Sequence, residues 1–316
     1  MTDKRKLLIL AIVVIALIAV FMTIHSYGNW DYILPRRSKK IAAMLLTGMA
    51  ISVSTVVFQT LTNNKILTPS LIGLDSLYLL LQTAIVFMLG ADTLTAMSKN
   101  VQFFLSAAVM IPFCGVLYKL LFLRKDGRAI YFLLLVGIIC GSFFSSISSF
   151  LQMLLDPNEF LVVQDKMFAS FNNVNSEVMV LATAIAVLSA LYFCKDLKYL
   201  DVMALGREHA VNLGVPYDRI TKRLLVFVAL LVSVSTALVG PITFLGFLVS
   251  NVAYRLMSSF RSAVVLPAAS LISFAALIGG QLIAERVFTF STSLSVILNF
   301  AGGLYFLYLL LKEERT

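Results

Sequence analysis

Charge is scarce in this 316-residue sequence: Asp, Glu, Lys and Arg together make up 13% of it, about half of what a soluble domain carries. That scarcity argues against a soluble enzyme and against a nucleic-acid-binding domain, although the formal net charge of +9 would suggest the latter in a soluble protein. Cysteine is nearly absent. Cys114, Cys140 and Cys194 lie in or beside apolar runs, are odd in number, and match neither a disulfide framework nor a metal site; they read as small buried hydrophobes. No G-x-x-x-x-G-K-[ST] occurs, so the chain has no phosphate-cradling loop of its own. The two histidines, His25 and His209, fall near the ends of apolar runs, and the many serines have no partnered base. An intramembrane enzyme is therefore left without a nucleophile and base, or two facing acids. Low-complexity tracts and linkers are missing too, which makes residues 1–316 one domain.

What the chain does have is oil: 60% of it is hydrophobic and the mean hydropathy is +0.95. Apolar runs of about 18 or more residues recur, each long enough to cross roughly 30 Å of hydrocarbon as a helix. We place ten spans near 7–27, 40–60, 70–90, 101–123, 129–154, 177–194, 222–240, 241–256, 263–284 and 293–311. The seventh and eighth are divided only by "VGPI" (239–242). The start, "MTDKRKLLILAIVVIALIAVFMTI", has a basic flank but no small-residue cleavage pattern, and we expect it to be a retained first span. An even number of spans puts both ends on one side of the membrane. With that side as the cytoplasm, eighteen of the 25 Lys and Arg residues lie inside, as the positive-inside bias requires. The seven outside are Arg36, Arg37, Lys39, Lys40, Lys99, Lys166 and Arg286. The cluster "RRSKK" (36–40) is on the costly side, which implies a function for it.

Three polar features interrupt the oil. Between spans six and seven, "DVMALGREHAVNLG" (201–214) reads as a short amphipathic helix with Met203, Leu205, Ala210, Val211 and Leu213 apolar, Gly214 as its terminator and Pro216 beyond it. Such a helix either anchors at the interface or transmits force from a cytoplasmic partner. In the fifth span Ser142, Ser145, Ser149 and Gln152 fall on one helical face. They either line a polar path or join helices, with Gly137 and Gly141 allowing close approach. Asp75 is the acid set deepest in a span. It is either a functional intramembrane acid or a partner for the positive end of its own helix. An echo between "ISVST" (51–55) and "VSVST" (232–236), on spans of opposite direction, is compatible with an inverted repeat.

Three blocks carry a family resemblance. "ALGREHAVNLGV" (204–215) resembles the "LG…A…LGv" signature of the FecCD permeases, subunits of ABC importers for iron–siderophores, haem and cobalamin. "TALVGPITFLGFLVSNVAYRL" (236–256) is similar to that family's "aGpIgFvGLivPHiaR" block, with Gly240 and Gly246 in place. "SVSTVVFQTLTNNKILTPSLIGLDS" (52–76) matches "sG…Q…rNpLa.P.llG", with Gln59, Asn64, Pro69 and Gly73 in register. The likeness covers about residues 35–312. Departures are also visible: Ser250-Asn251 stands for a Pro-His pair, Lys65 for the proline of an Asn-Pro pair, Gln281 near a usual aspartate, and "STSLS" (291–295), "AGGLYF" (301–306) and "KMFASFNNVN" (166–175) for other family motifs. They place the chain nearest the catechol-type and mixed-siderophore permeases, which pair with a second, different permease.

The resemblance implies an all-α polytopic membrane protein of the type II ABC importer permease fold, with about ten transmembrane helices. It implies a second permease subunit, two ATPase subunits that hold the ATP, an extracytoplasmic solute-binding protein, and a ferric siderophore as cargo, with haem or cobalamin as alternatives. No cofactor or metal is expected on the chain itself. Residues 201–214 become the coupling helix, with Leu205, Gly206, His209, Ala210, Leu213 and Gly214 facing the ATPase. Arg37, Lys40 and Arg286 become docking positions for carboxylates of the binding protein, and Ser142, Ser145, Ser149 and Gln152 the wall of the translocation path. The rival from another class is an ion-coupled carrier built on Asp75, which has no need of a coupling helix.

Overall fold

The computed structural model describes residues 2–24, 30–122, 129–172, 174–288 and 292–313. His25, the cations Arg124, Lys125, Arg128 and Arg315, Asn173 and Ser291 lie outside the described residues. Fourteen α-helices follow one another among the described residues. They are α1 (Asp3–Thr23), α2 (Trp30–Thr62), α3 (Leu74–Leu89), α4 (Ala91–Ala96), α5 (Lys99–Phe122), α6 (Ala129–Leu154) and α7 (Pro157–Lys166). Then come α8 (Ser176–Leu197), α9 (Leu200–Met203), α10 (Arg207–Asn212), α11 (Tyr217–Val239), α12 (Leu245–Leu256), α13 (Ser262–Arg286) and α14 (Leu294–Glu313).

Ten of these, α1, α2, α3, α5, α6, α8, α11, α12, α13 and α14, answer to the ten expected spans. Seven are long and apolar enough to cross a membrane, and α3 and α14 are shorter apolar helices. The 12-residue α12 extends only about 18 Å at 1.5 Å per residue, well short of a bilayer core. The expected eighth span is thus a half-length helix, because Gly240 to Phe244 leave helical geometry before it begins. Helix α7, between the fifth and sixth spans, was not expected from the sequence.

Helices α2 and α11 form the hub. α2 packs on α11, α12 and α13, and α11 on α5 and α8, so both spans are buried over most of their length. Their shared core includes Phe58, Leu61, Leu224 and Val228, and a second core joins Phe21, Met44, Phe171 and Leu277. The echoing pentapeptides 51–55 and 232–236 sit on these two mutually packed helices. At the periphery, α1 and α8 turn Leu8, Ile12, Ile15, Leu188 and Leu191 outward, as lipid-facing helices must.

Successive spans alternate between two ends. At the near end the chain start meets the α12–α13 turn: Lys6 Nζ donates to Leu256 O at 2.8 Å and Asp3 Oδ1 accepts from Ser258 N at 2.9 Å. At the far end, Asn100 Nδ2 donates to Glu177 Oε2 at 2.5 Å and Ala91 N to Glu159 Oε1 at 3.4 Å, which ties α4 and α5 to α7 and α8.

The third span differs from expectation in a way that matters. Instead of a helix over 70–90, the chain returns from α2 without helix, makes one 3₁₀ turn at Pro69–Ile72, and starts α3 only at Leu74. Gly73 has φ +87°, and a Cβ there would lie 2.8 Å from Gly141 Cα and 3.0 Å from Gly137 O. Backbone meets backbone at this crossing, so no side chain fits. Asp75 consequently lies in the first turn of α3 rather than two turns into a span.

Candidate functional site

At the near end, residues 201–214 are two short helices rather than one. Helix α9 ends at Met203, and the chain turns at Gly206, φ +94°, before α10 begins at Arg207. A single amphipathic helix is not formed because Gly206 adopts a conformation that L side chains avoid. Gly214 does terminate α10 as expected: with φ +81° it donates N–H to Val211 O at 2.9 Å, and Val215 N donates to Ala210 O at 3.0 Å. These two bonds define a Schellman cap.

The segment divides its apolar residues between two tasks. Met203 and Ala210 are buried and join the main core. Leu205, Val211 and Leu213 are exposed, at 56%, 47% and 64%, and His209 is exposed beside them. The platform is held from two sides, Asp201 Oδ1 accepting from Ser262 N at 2.6 Å and Arg207 pairing with Asp218 at 3.5 Å, while Arg223 pairs with the buried Asp196 at 3.0 Å to join the flanking α8 and α11. Three large apolar side chains are thus held outward on the platform, outside the core.

The family-motif residues organise the chain just above it. Gln59 Nε2 and Asn251 Nδ2 both donate to Lys65 O, at 2.6 and 3.0 Å, and Asn64 Oδ1 accepts from Ile66 N at 2.8 Å. These bonds satisfy a non-helical stretch, which a membrane tolerates only when protein partners it. The Lys65 ammonium rests over the rings of Tyr254 and Phe260, at 4.9 and 5.0 Å, a cation–π arrangement. Residues Asn63, Lys65, Asp201, Leu205 and Phe260 line a cavity of about 450 Å³ beside the platform. Lys65 and Asn251 are thus working partners, though in the sequence they register only as departures from the family pattern. Gly246 lies against Thr55, and Gly240 against Ala169, where Ser170 N donates to Val239 O at 2.8 Å.

At the far end the three expected docking cations behave differently from one another. Arg37 Nη1 donates to Phe21 O at 2.8 Å and Met22 O at 2.9 Å, capping the last carbonyls of α1. Lys40 Nζ pairs with Glu285 Oε1 at 2.9 Å, and the same oxygen accepts from Gln281 Nε2 at 2.8 Å. Arg286 is exposed at the end of α13, as are Arg36 and Lys39 on α2. Glu285 escaped notice in the sequence, although it stands beside Arg286 and one turn beyond Gln281.

The polar stripe of α6 is also divided. Ser145 Oγ donates to Ser76 Oγ at 3.0 Å, and Gln152 Nε2 donates to Thr83 Oγ1 at 3.2 Å and to Ser148 Oγ at 3.0 Å. Ser148, which the sequence reading passed over, is buried and lies 2.9 Å from Thr83 Oγ1. Half of the stripe therefore joins α6 to α3, while Ser142 and Ser149 remain exposed on the chain surface. Asp75 accepts from Thr236 Oγ1 at 3.5 Å and Thr243 Oγ1 at 3.4 Å, and the ion pairs among the described residues do not include it.

The sequence profile described as the FecCD transport family matches residues 6–312. The chain belongs to the FecCD transport family. Its similarity to "Petrobactin import system permease protein YclO" of Bacillus subtilis (strain 168) is 54% identity, covering 100% of both chains. The corresponding protein FatC of Bacillus anthracis is 35% identical over 96% of this chain and 89% of its own length. A second petrobactin import permease of that organism, FatD, is 23% identical over 97% and 90%. The fold is that of a solved structure titled as an inward-facing conformation of a putative metal-chelate type ABC transporter, with a TM-score of 0.83, 20% identity, and 98% and 100% coverage. This FecCD protein is accordingly an all-helical, multi-pass membrane permease of the ABC importer class, and its family is one of transport proteins rather than enzymes.

Proposed function

We propose that the chain is the permease subunit of an ATP-driven importer that moves a ferric siderophore into the cytoplasm by alternating access, paired with a second and different permease. The observation that carries this reading is the outward display of Leu205, Val211 and Leu213 on the braced α9–α10 platform. In this reading the near end and both termini are cytoplasmic. Two ATPase subunits bind and hydrolyse ATP beneath the platform, and the binding protein meets the far end near Arg36, Arg37, Lys39 and Arg286. ATP-driven closure of the ATPases shifts α9–α10, and the bracing pairs carry that shift into α8, α11 and the α12–α13 turn as the bundle rocks between states.

A different partner permease is favoured by the relatives. FatC and FatD of one organism carry the same import-system name, and this chain is far more similar to the first than to the second. The exposed Ser142 and Ser149 of α6 favour a neighbouring subunit or a polar path on that face, since hydroxyls turned to lipid are unfavourable. The names of the relatives make petrobactin the first cargo to try, with haem and cobalamin as the alternatives.

The test is reconstitution of the chain with its partner permease, ATPase and binding protein in vesicles, followed by uptake of iron-labelled ferric petrobactin. ATP-dependent accumulation that survives collapse of ion gradients is expected. Uphill transport by the chain without an ATPase, driven by an ion gradient and lost in Asp75→Asn, overturns the proposal in favour of the ion-coupled carrier.

A further inference from the structure

Seven cations fall on the expected outer side, and five of them gather around the ends of α2 and α13. The other two, Lys99 and Lys166, are remote in sequence and serve no part of the docking or coupling scheme. The fold brings them together: Lys99 opens α5, Lys166 closes α7, and both line a far-end cavity of about 100 Å³. Among the described residues of its wall Asp165 is the one carboxylate, so two lysines share the site with one acid. Burial and the neighbouring Lys99 ammonium together hold the Lys166 amine below the ordinary lysine range, and Asp165 opposes them only in part.

The polar wall is fixed in orientation. Lys166 Nζ donates to Gln102 Oε1 at 3.2 Å, while Gln102 Nε2 is spent on Leu94 O at 2.7 Å and Met97 O at 3.1 Å. Gln82 Nε2 donates to Ser106 Oγ at 3.2 Å, which leaves Gln82 Oε1 buried in the same wall with no hydrogen-bond partner. Such an orphaned acceptor costs about 1–3 kcal/mol until a donor reaches it. One site thus presents surplus cationic donors and a single unmet acceptor. A water needs about 10–15 Å³ of such space, so there is room for a molecule of several heavy atoms.

We propose that this cavity binds a small hydroxycarboxylate, with its carboxylate between the Lys99 and Lys166 ammonium groups and its hydroxyl donating to Gln82 Oε1. A plain carboxylate satisfies only the cations, and a neutral alcohol only the glutamine. The site stands on the cavity's own geometry and does not depend on which cargo the permease carries.

The test is equilibrium dialysis of radiolabelled glycolate against the full-length chain in lipid nanodiscs, at constant ionic strength, with acetate as competitor. Saturable binding of one glycolate per chain is expected, with acetate competing several-fold more weakly. Lys99→Gln and Lys166→Gln should each weaken glycolate by about tenfold or more, Lys166→Arg should retain binding, and Gln82→Leu should abolish the preference over acetate. Retention in Lys166→Arg separates a lost ligand contact from a lost fold. Absence of saturable binding, or affinities unchanged in both glutamine variants, overturns the proposal.

Discussion

The two ends of the bundle differ in how their charged groups are held. At the near end, Leu205, Val211 and Leu213 are exposed, Asp201 accepts from a backbone N–H, and Arg207 and Arg223 are paired with Asp218 and Asp196 within the chain. At the far end, the exposed cations Arg36, Lys39 and Arg286 stand around an internally neutralised Lys40, among exposed apolar residues such as Leu34 and Val287. Apolar anchors on a rigid base suit a partner that stays and must be pushed by. A polar rim suits one that arrives and leaves, since exposed charges contribute steering and register more than affinity. A transporter of this class needs one of each.

The largest effect is expected where that contrast is most easily broken. Leu205→Asp with Leu213→Asp places charge in the centre of the apolar display while leaving the buried Met203 and Ala210 untouched. Uptake should fall to background, with the amount of chain in the membrane unchanged and the ATPase no longer co-purifying. Normal co-purification would show that the platform is not the gripping surface. Gly206→Val should reach the same end by another route, because φ +94° is closed to a branched residue.

A second, smaller effect distinguishes the two roles open to Lys40. Lys40→Glu sets two acids together and leaves Glu285 without its cation, and removing one partner of a largely buried pair typically costs about 3–5 kcal/mol. The double exchange Lys40→Glu with Glu285→Lys restores the pair in reverse. If Lys40 acts within the chain, thermal stability and uptake both recover in the exchange. If it meets the binding protein directly, stability recovers and docking does not. The structure favours the first outcome, since the ammonium is already committed at 2.9 Å.

Why some of this was legible in the sequence and some not follows from what each signal measures. Hydropathy counts apolar residues along the chain, so it located ten helical segments, but it cannot see backbone breaks inside apolar runs. The run 70–90 and the run 241–256 therefore looked like whole spans, although Gly73 and the residues after Gly240 interrupt them. The terminator at Gly214 was legible because helix-stopping chemistry is local; the turn at Gly206 was not, because an isolated glycine within a polar helix has several readings. The α6 stripe was found by period, which left open whether it lines a path or joins helices. Helical phase gives the face on which Ser145 and Gln152 lie, but not that Ser76 and Thr83 wait opposite them. Partnership between distant residues, as in Lys65 with Asn251 or Lys40 with Glu285, leaves no trace in one sequence.

The smallest effect belongs to Arg286, and it tests the far end most cleanly. Unlike Arg37, which caps α1, and Lys40, which pairs with Glu285, it is exposed and outside the ion pairs among the described residues. Arg286→Glu should therefore leave folding intact. Exposed charge pairs contribute about 0.2–1 kcal/mol, so reversing one charge at a rim should weaken binding-protein docking by several-fold at most. The loss should appear mainly in the association rate, because the exchange acts on the approach of charged surfaces rather than on packed contacts. It should also shrink as salt is added, the Debye length falling from about 30 Å at 0.01 M to about 8 Å at 0.15 M. Association rates of the binding protein with wild type and Arg286→Glu, measured across that range on nanodisc-held complex, should converge as salt rises. A salt-independent difference would mean that the arginine is packed into the interface, and the far end would then resemble the near end more closely than its exposed cations suggest.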